Sequence, residues 1–292
     1  MNAFEFFAPE SLDGVLDALA QWGDEAKLLA GGTGLINMMK QRLVNPAALV
    51  SLGNVPGLDH LSADTGALRV GTLCSQQAIA TSPDVARVVP LLAETYGQVA
   101  TPRIRNVATV GGGLVHGDPN QDPPVALLAL DASVKLVSKS GERILALSDF
   151  LVDYYETATG PDEVLVEVMV PAPARQAGSA YLKFLPRSAD DYATVSAAAV
   201  VTLRDGKLDD VRVAVGSAAP TALRCSQAER ILTGQAPTAD ALRAAAATAR
   251  EIADPISDGR GSAEYKRDMV PVFVRRALEK AVGRAQAAAE GR

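Results

Sequence analysis

Apolar positions recur along this chain with two different periods. Leu12, Val15, Leu16 and Leu19 follow i, i+3, i+4, i+7, the stripe of an amphipathic helix, and Ser11 stands ahead of them as an N-cap. Phe4-Glu5-Phe6 and Lys27-Leu28-Leu29 read as short strands on either side of that helix. Leu35 to Lys40 then predicts a short helix and Ala48 to Leu52 another strand, so the chain opens with a βαβ-like unit. Pro90 to Val99 reads as helix, and Ser133 to Leu147 alternates around Ser140-Gly141 as two strands. Farther on, Val200–Leu203, the turn Asp205-Gly206 and the alternating Val211, Val213 and Val215 predict an antiparallel hairpin. Thr238 caps an alanine-rich helix to about Ala253, and Tyr265, Met269, Val272 and Phe273 line one face of a final helix. Residues from Ala285 to Arg292 are expected to fray.

The length of 292 residues suits two domains at ~100–200 residues each. Pro171-Ala172-Pro173-Ala174, followed by Arg175-Gln176-Ala177-Gly178, is punctuation of the kind that separates them, giving expected domains 1–174 and 175–292. Apolar residues make up 48% and aromatics only 4%, so the cores are aliphatic and alanine-rich. The net charge of −6 disfavours nucleic acid and anionic membrane surfaces. No apolar stretch approaches the ~20 residues of a membrane span, and the amino terminus lacks the pattern of a signal peptide. A cytoplasmic location is expected.

Candidate chemistry concentrates in two glycine-rich loops. Ala30-Gly31-Gly32-Thr33-Gly34 follows Leu28-Leu29, and Thr109-Val110-Gly111-Gly112-Gly113 follows Val107-Ala108. Neither carries the lysine of a phosphate-clamping P-loop, and the first lacks the G-x-G-x-x-G spacing of the Rossmann turn. Glycine admits close backbone approach, and its N–H groups can form a nest for an anionic oxygen. Two such loops can grip one pyrophosphate from opposite sides, which suggests a dinucleotide held by backbone.

Other residues read two ways. Asp122, in Asn120-Gln121-Asp122-Pro123-Pro124, is either a turn or cap residue or an acceptor for a ribose or ring N–H. Lys183 is either a solvated surface group or, given its run Tyr181-Leu182-Lys183-Phe184-Leu185, a side chain aimed at one defined face. His116 lies within reach of a ligand at the second loop, or is structural. Cys74 and Cys225 read as buried thiols, and two cysteines cannot ligate an iron–sulfur cluster. No Ser/His/Asp or Cys/His constellation for catalysis is present and no metal site is expected.

In order and combination, three segments resemble the FAD-binding medium subunit of bacterial molybdenum hydroxylases, the group that includes carbon monoxide dehydrogenase and the middle domain of xanthine dehydrogenase. They are Lys27–Leu35 with Met39-Lys40, Ile104–Gly112 with Asp122 behind it, and Lys183 ahead of Arg187 and Asp190-Asp191-Tyr192-Ala193. The resemblance runs from about Phe4 to Ala281. It implies a mixed α+β fold: a two-lobed FAD-binding domain of the vanillyl-alcohol-oxidase type plus a smaller C-terminal α+β domain with an antiparallel sheet and helices. It implies that Leu28, Leu29, Ala30, Gly31, Gly32, Thr33, Gly34 and Leu35 wrap the pyrophosphate and approach the isoalloxazine. Thr109 would bond a phosphate oxygen, with Gly111, Gly112 and Gly113 supplying N–H groups. Asp122 would contact the ribityl or ribose region, and Val99 and Leu165 match apolar positions near the cofactor. Lys183 matches a lysine at the flavin's pyrimidine edge, and Tyr192 a residue shielding one ring face.

The same resemblance implies noncovalent FAD, because the first loop offers no histidine for a covalent link. It places a molybdenum cofactor on a large partner subunit and two [2Fe–2S] clusters on a small one, in a dimer of heterotrimers. The relative 4-hydroxybenzoyl-CoA reductase carries an extra [4Fe–4S] cluster in this subunit, whose ligands this chain lacks. The implied role is electron transfer from those clusters through FAD to an external acceptor. The alternatives are a stand-alone FAD-dependent oxidase of the same fold and a scaffold without cofactor.

Overall fold

The computed structural model describes all residues except Asp64, Thr65, Pro186, Arg187, Ala189, Asp190, Gly291 and Arg292. Arg187 and Asp190, two members of the third motif, therefore lie outside the described residues. The opening βαβ pattern forms a small parallel sheet in which Ala48–Ser51 is central, flanked by Glu5–Phe7 and Ala26–Leu29. Helix Leu12–Trp22 covers it, capped by the Ser11 hydroxyl, which accepts from the Gly14 N–H, and buries Val15, Leu16 and Leu19 as their spacing requires.

A second, antiparallel sheet runs in the order Leu61–Ala63, Ala67–Gly71, Val164–Pro171, Ser133–Ser138, Gly141–Ala146. The strand that arrives late in the chain, Val164–Pro171, is the central one. Helices Gln76–Thr81, Pro90–Tyr96, Val110–His116 and Pro123–Ala129 lie in the chain between its members. A third sheet is formed by Gly178–Phe184, Val195–Arg204, Lys207–Gly216 and Leu223–Arg224, antiparallel throughout. Its central hairpin turns at Asp205 and Gly206, both at positive φ (51° and 75°), the geometry of a tight two-residue turn.

This third sheet is buried on both faces. Ala197, Ala199, Val201, Val213 and Val215 face helices Ser226–Leu232, Ala239–Ile252 and Ala263–Ala289. Tyr181, Ala198, Val200 and Ala214 instead join the core of the second sheet, together with helix Pro123–Ala129. Two-sided burial explains why Val195–Val201 is a continuous run of small apolar residues with hardly a polar alternation. The last helix extends to Ala289, past the point where fraying is expected, because Ala281, Val282 and Ala285 are buried against the sheet.

Candidate cofactor site

Strand Ala26–Leu29 delivers the first glycine loop at its carboxyl end, and the chain turns there into helix Leu35–Lys40. Leu28 anchors the strand on the first core, and Gly32 takes a positive φ of 70° that lets the chain double back. Among the described residues, the N–H groups of Gly31, Gly32, Thr33, Gly34 and Leu35 face no protein acceptor. Successive unpaired N–H groups in a half-buried turn form an anion nest.

The second loop is built differently. Thr109 caps helix Val110–His116 and bridges to Ser75. The Val110 N–H donates to Cys74 O (2.9 Å), Gly111 N–H to Thr72 O (3.0 Å), Gly112 N–H to Thr109 Oγ1 (3.2 Å) and Gly113 N–H to Thr109 O (3.0 Å). The N–H groups of Gly111, Gly112 and Gly113, expected to face phosphate, each donate to an oxygen of the chain itself. Thr109 Oγ1 accepts from Gly112 and keeps its own proton to donate to a ligand. The glycines also allow close packing. A Cβ on Gly111 would collide with the Thr72 side chain, and one on Gly31 with the Val107 carbonyl. The two loops therefore abut, Gly31 against Val107 and Gly112 facing Ala30.

Between them opens a cleft of about 540 Å³, lined by Ala30, Gly31, Asn54, Asp59, Val107 and Thr109 among others. That volume is in the range of small-molecule and cofactor sites. Among the described residues no lysine or arginine lines it, and backbone dipoles and the Thr109 hydroxyl are the groups available to an anion there.

His116 closes the far end of the second-loop helix, its Nε2 2.7 Å from where a Gly34 Cβ would stand. Its ring meets the edge of Tyr155 at 5.3 Å. Burial pulls the imidazole pKa below its ordinary value, against the opposing charge of Asp118, so the neutral ring is favoured beside the loop. Tyr192 remains 43% exposed, with the Arg260 guanidinium 5.2 Å over its ring and its phenol pushed up by burial and Asp118. His116, Tyr155, Asp118, Tyr192 and Arg260 thus form one polar-aromatic patch next to Gly34.

Asp122 and Lys183 are brought together, but with each other. Lys183 Nζ donates to Asp122 Oδ2 (2.8 Å) and to Gln98 O (3.1 Å), while the Tyr181 hydroxyl donates to Asp122 Oδ1. Their side chains are 1% and 4% exposed. Burial raises the Asp122 pKa, with the Lys183 charge and the two hydrogen bonds pulling it back. Each carboxylate oxygen thus accepts one protein hydrogen bond, and Asp122, expected near a ribose or ribityl group, forms an internal ion pair with Lys183 that joins the two sequence halves. Leu165 lies in the core at 2% exposure and Val99 packs on that core, its carbonyl held by Arg105 (2.7 Å); neither lines the cleft.

Sequence reasoning missed Thr72, Gln76, Asp118, Tyr155 and Arg260. They come from separate stretches of the chain, Gln76 from a helix start and the others from turns and loops, and carry no local pattern. Tyr155 alone has a backbone signal, a positive φ of 55°, and that is visible only in three dimensions.

Comparison with known proteins follows the same lines. Residues 2–173 match the model of the FAD binding domain in molybdopterin dehydrogenase, and residues 180–281 that of the CO dehydrogenase flavoprotein C-terminal domain. The chain is 37% identical over 281 residues to the carbon monoxide dehydrogenase medium chain of Hydrogenophaga pseudoflava, covering 96% of this chain and 98% of the relative. It is 36% identical over 285 residues to the 6-hydroxypseudooxynicotine dehydrogenase complex subunit alpha of Paenarthrobacter nicotinovorans, covering 97% and 96%. Among solved structures, a carbon monoxide dehydrogenase from Hydrogenophaga pseudoflava superposes with a TM-score of 0.94 at 38% identity, covering 97% of this chain and 98% of that one. Quinoline 2-oxidoreductase from Pseudomonas putida 86 gives 0.91 at 33% identity, covering 98% of both.

Proposed function

We propose an electron-transfer role for this chain on one premise: it belongs to the family of FAD-binding medium subunits of molybdenum hydroxylases. The observation that carries the reading is the run of unpaired N–H groups from Gly31 to Leu35, which begins at a cleft that Gly31 and Thr109 both line. That arrangement suits the two phosphates of FAD, and the cleft suits the adenosine end. Leu28 and Leu29 fix the strand from which the nest projects. The surface at His116 and Tyr192 suits the ring end of the cofactor, and Arg260 over Tyr192 holds that side chain in place.

Bound FAD supplies the redox chemistry, and the protein supplies orientation and a polar frame. Electrons reach this subunit from [2Fe–2S] clusters on a small partner, fed by a molybdenum cofactor on a large one, and leave to an external acceptor. With both of its cysteines buried, this chain has no cluster ligands of its own to offer. We place the subunit in a dimer of heterotrimers in the cytoplasm. Among the described residues no helix is long and apolar enough to cross a membrane.

The test is an absorption spectrum of the natively purified protein, with mass spectrometry of everything that co-purifies. Flavin bands, FAD released on denaturation, and two companion chains bearing molybdenum and iron are the expected result. Flavin without companions overturns the assembly in favour of a stand-alone oxidase. Absence of flavin after FAD is added overturns the cofactor reading itself.

A further inference from the structure

Gln76 begins helix Gln76–Thr81, directly behind its N-cap Ser75. Its backbone N–H donates to Ala108 O (2.9 Å), which ties it to the second glycine loop. The side chain is 6% exposed, yet its Oε1 has no hydrogen-bond partner among the described residues. A buried amide oxygen without a donor is costly, and native proteins seldom leave one without a use. Its Nε2 lies 3.2 Å from where a Cβ on Gly113 would stand. Gln121 Oε1 lies 3.1 Å from the same point, held there by its Nε2, which donates to Gly113 O (2.7 Å). Gly113 is thus the bare floor beside two neutral carboxamides.

The chemistry of this spot differs from that of the phosphate nest. Asp122 and Lys183 are paired with each other, and the groups that meet Gly113 are two neutral amides. A carboxamide offers one acceptor and one pair of donors, the complement of a hydroxyl that both donates and accepts. The position fits as well. Gly113 is one helical turn, roughly 6 Å, beyond the phosphate-facing Thr109, and His116 with its aromatic neighbours is most of a further turn along. In FAD the polyol chain is what joins the pyrophosphate to the ring.

We propose that Gln76, with Gln121 beside it at Gly113, is a positioning residue that hydrogen-bonds the ribityl hydroxyls and so fixes where the flavin ring lies. The proposal rests on the FAD reading above. It assigns the phosphates to the first loop and Thr109, and the polyol to the two glutamines.

The test is titration of the flavin-depleted protein with FAD, followed by flavin fluorescence, and with ADP as a competing ligand that lacks the polyol. Gln76→Leu is expected to weaken FAD about tenfold while leaving ADP unchanged, with melting of the ligand-free protein unchanged or raised because the orphaned carbonyl is gone. Gln121→Leu is the second variant and is expected to show the same split between FAD and ADP. Wild-type FAD affinity in both variants overturns the proposal and leaves the cofactor reading standing. Equal loss of FAD and ADP also overturns it, by making the glutamines structural. Failure of the wild-type protein to bind FAD at all overturns the reading on which it rests.

Discussion

Gly31 is a glycine because the chain meets itself there, and the ligand comes second. Any side chain at this position runs into the Val107 carbonyl, a backbone atom that cannot swing aside. Gly31→Ala is therefore expected to push the two loops apart, costing about 1–3 kcal/mol of stability as overpacking does and weakening FAD at least tenfold by fluorescence titration. Gly283→Ala is the control: a Cβ there meets nothing within 4 Å, and it sits in a helix interior where alanine is preferred, so both readings stay at wild type or improve slightly. A Gly31→Ala protein with unchanged FAD affinity would show that the loops need not touch. The first glycine loop was legible in the sequence as a loop, while the second segment, read as a loop, is the start of helix Val110–His116. Their pairing on one ligand was suggested by their composition. What could not be read was which glycines serve a ligand and which serve packing. That depends on Val107 and Thr72, residues distant in the chain from the glycines they crowd.

Between elements, the decisive contact is Asp122, at the head of helix Pro123–Ala129, with Lys183 and Tyr181 of strand Gly178–Phe184. Removing the cation alone leaves a carboxylate buried without a charge partner, a change that typically costs ~3–5 kcal/mol. Lys183→Met is thus expected to lower the urea midpoint sharply. The double variant Asp122→Asn, Lys183→Met should recover most of the loss, because the charge left behind is gone. A single variant as stable as wild type would mean that Asp122 simply takes up a proton at little cost. The sequence left Asp122 as a turn or cap residue or a ligand acceptor, and Lys183, in its apolar run, as a surface group or one aimed at a defined face. It could not announce that they answer one another, since the pairing exists only once the strand has packed on the helix. The elements themselves were more readable: the caps at Ser11 and Thr238 and the hairpin turn at Asp205-Gly206 all announce themselves through local chemistry. The central position of Val164–Pro171 was not readable, because nothing local records which strands it joins.

Over the whole molecule, the C-terminal sheet gives one face to its own helices and the other to the core of the second sheet, so the halves share a buried seam. The rim of that seam is pinned by Glu94 of helix Pro90–Tyr96, which accepts from Lys280 Nζ (2.8 Å) and Arg284 Nη1 (2.6 Å) of the last helix. Arg284 also donates to Ser179 O (2.5 Å), tying the helix to the first strand of the sheet. Burial works to raise the Glu94 pKa, but the bonds and charges of Arg284 and Lys280 outweigh it and leave the carboxyl below its ordinary 4.5. A carboxyl with a depressed folded pKa binds fewer protons folded than unfolded. Its contribution is therefore complete above about 4.5 and is lost as the pH falls through the lower folded value. Both cations are partly exposed, so solvent and salt hold the network to roughly 1 kcal/mol or less per pair. Glu94→Gln is expected to lower the melting temperature by about 1–4 °C at pH 7 and to flatten part of the decline in the window that opens as the pH falls below 4.5. If the melting curves of variant and wild type fall in parallel across that window, Glu94 carries none of the acid sensitivity, and the seam is held by its apolar faces alone.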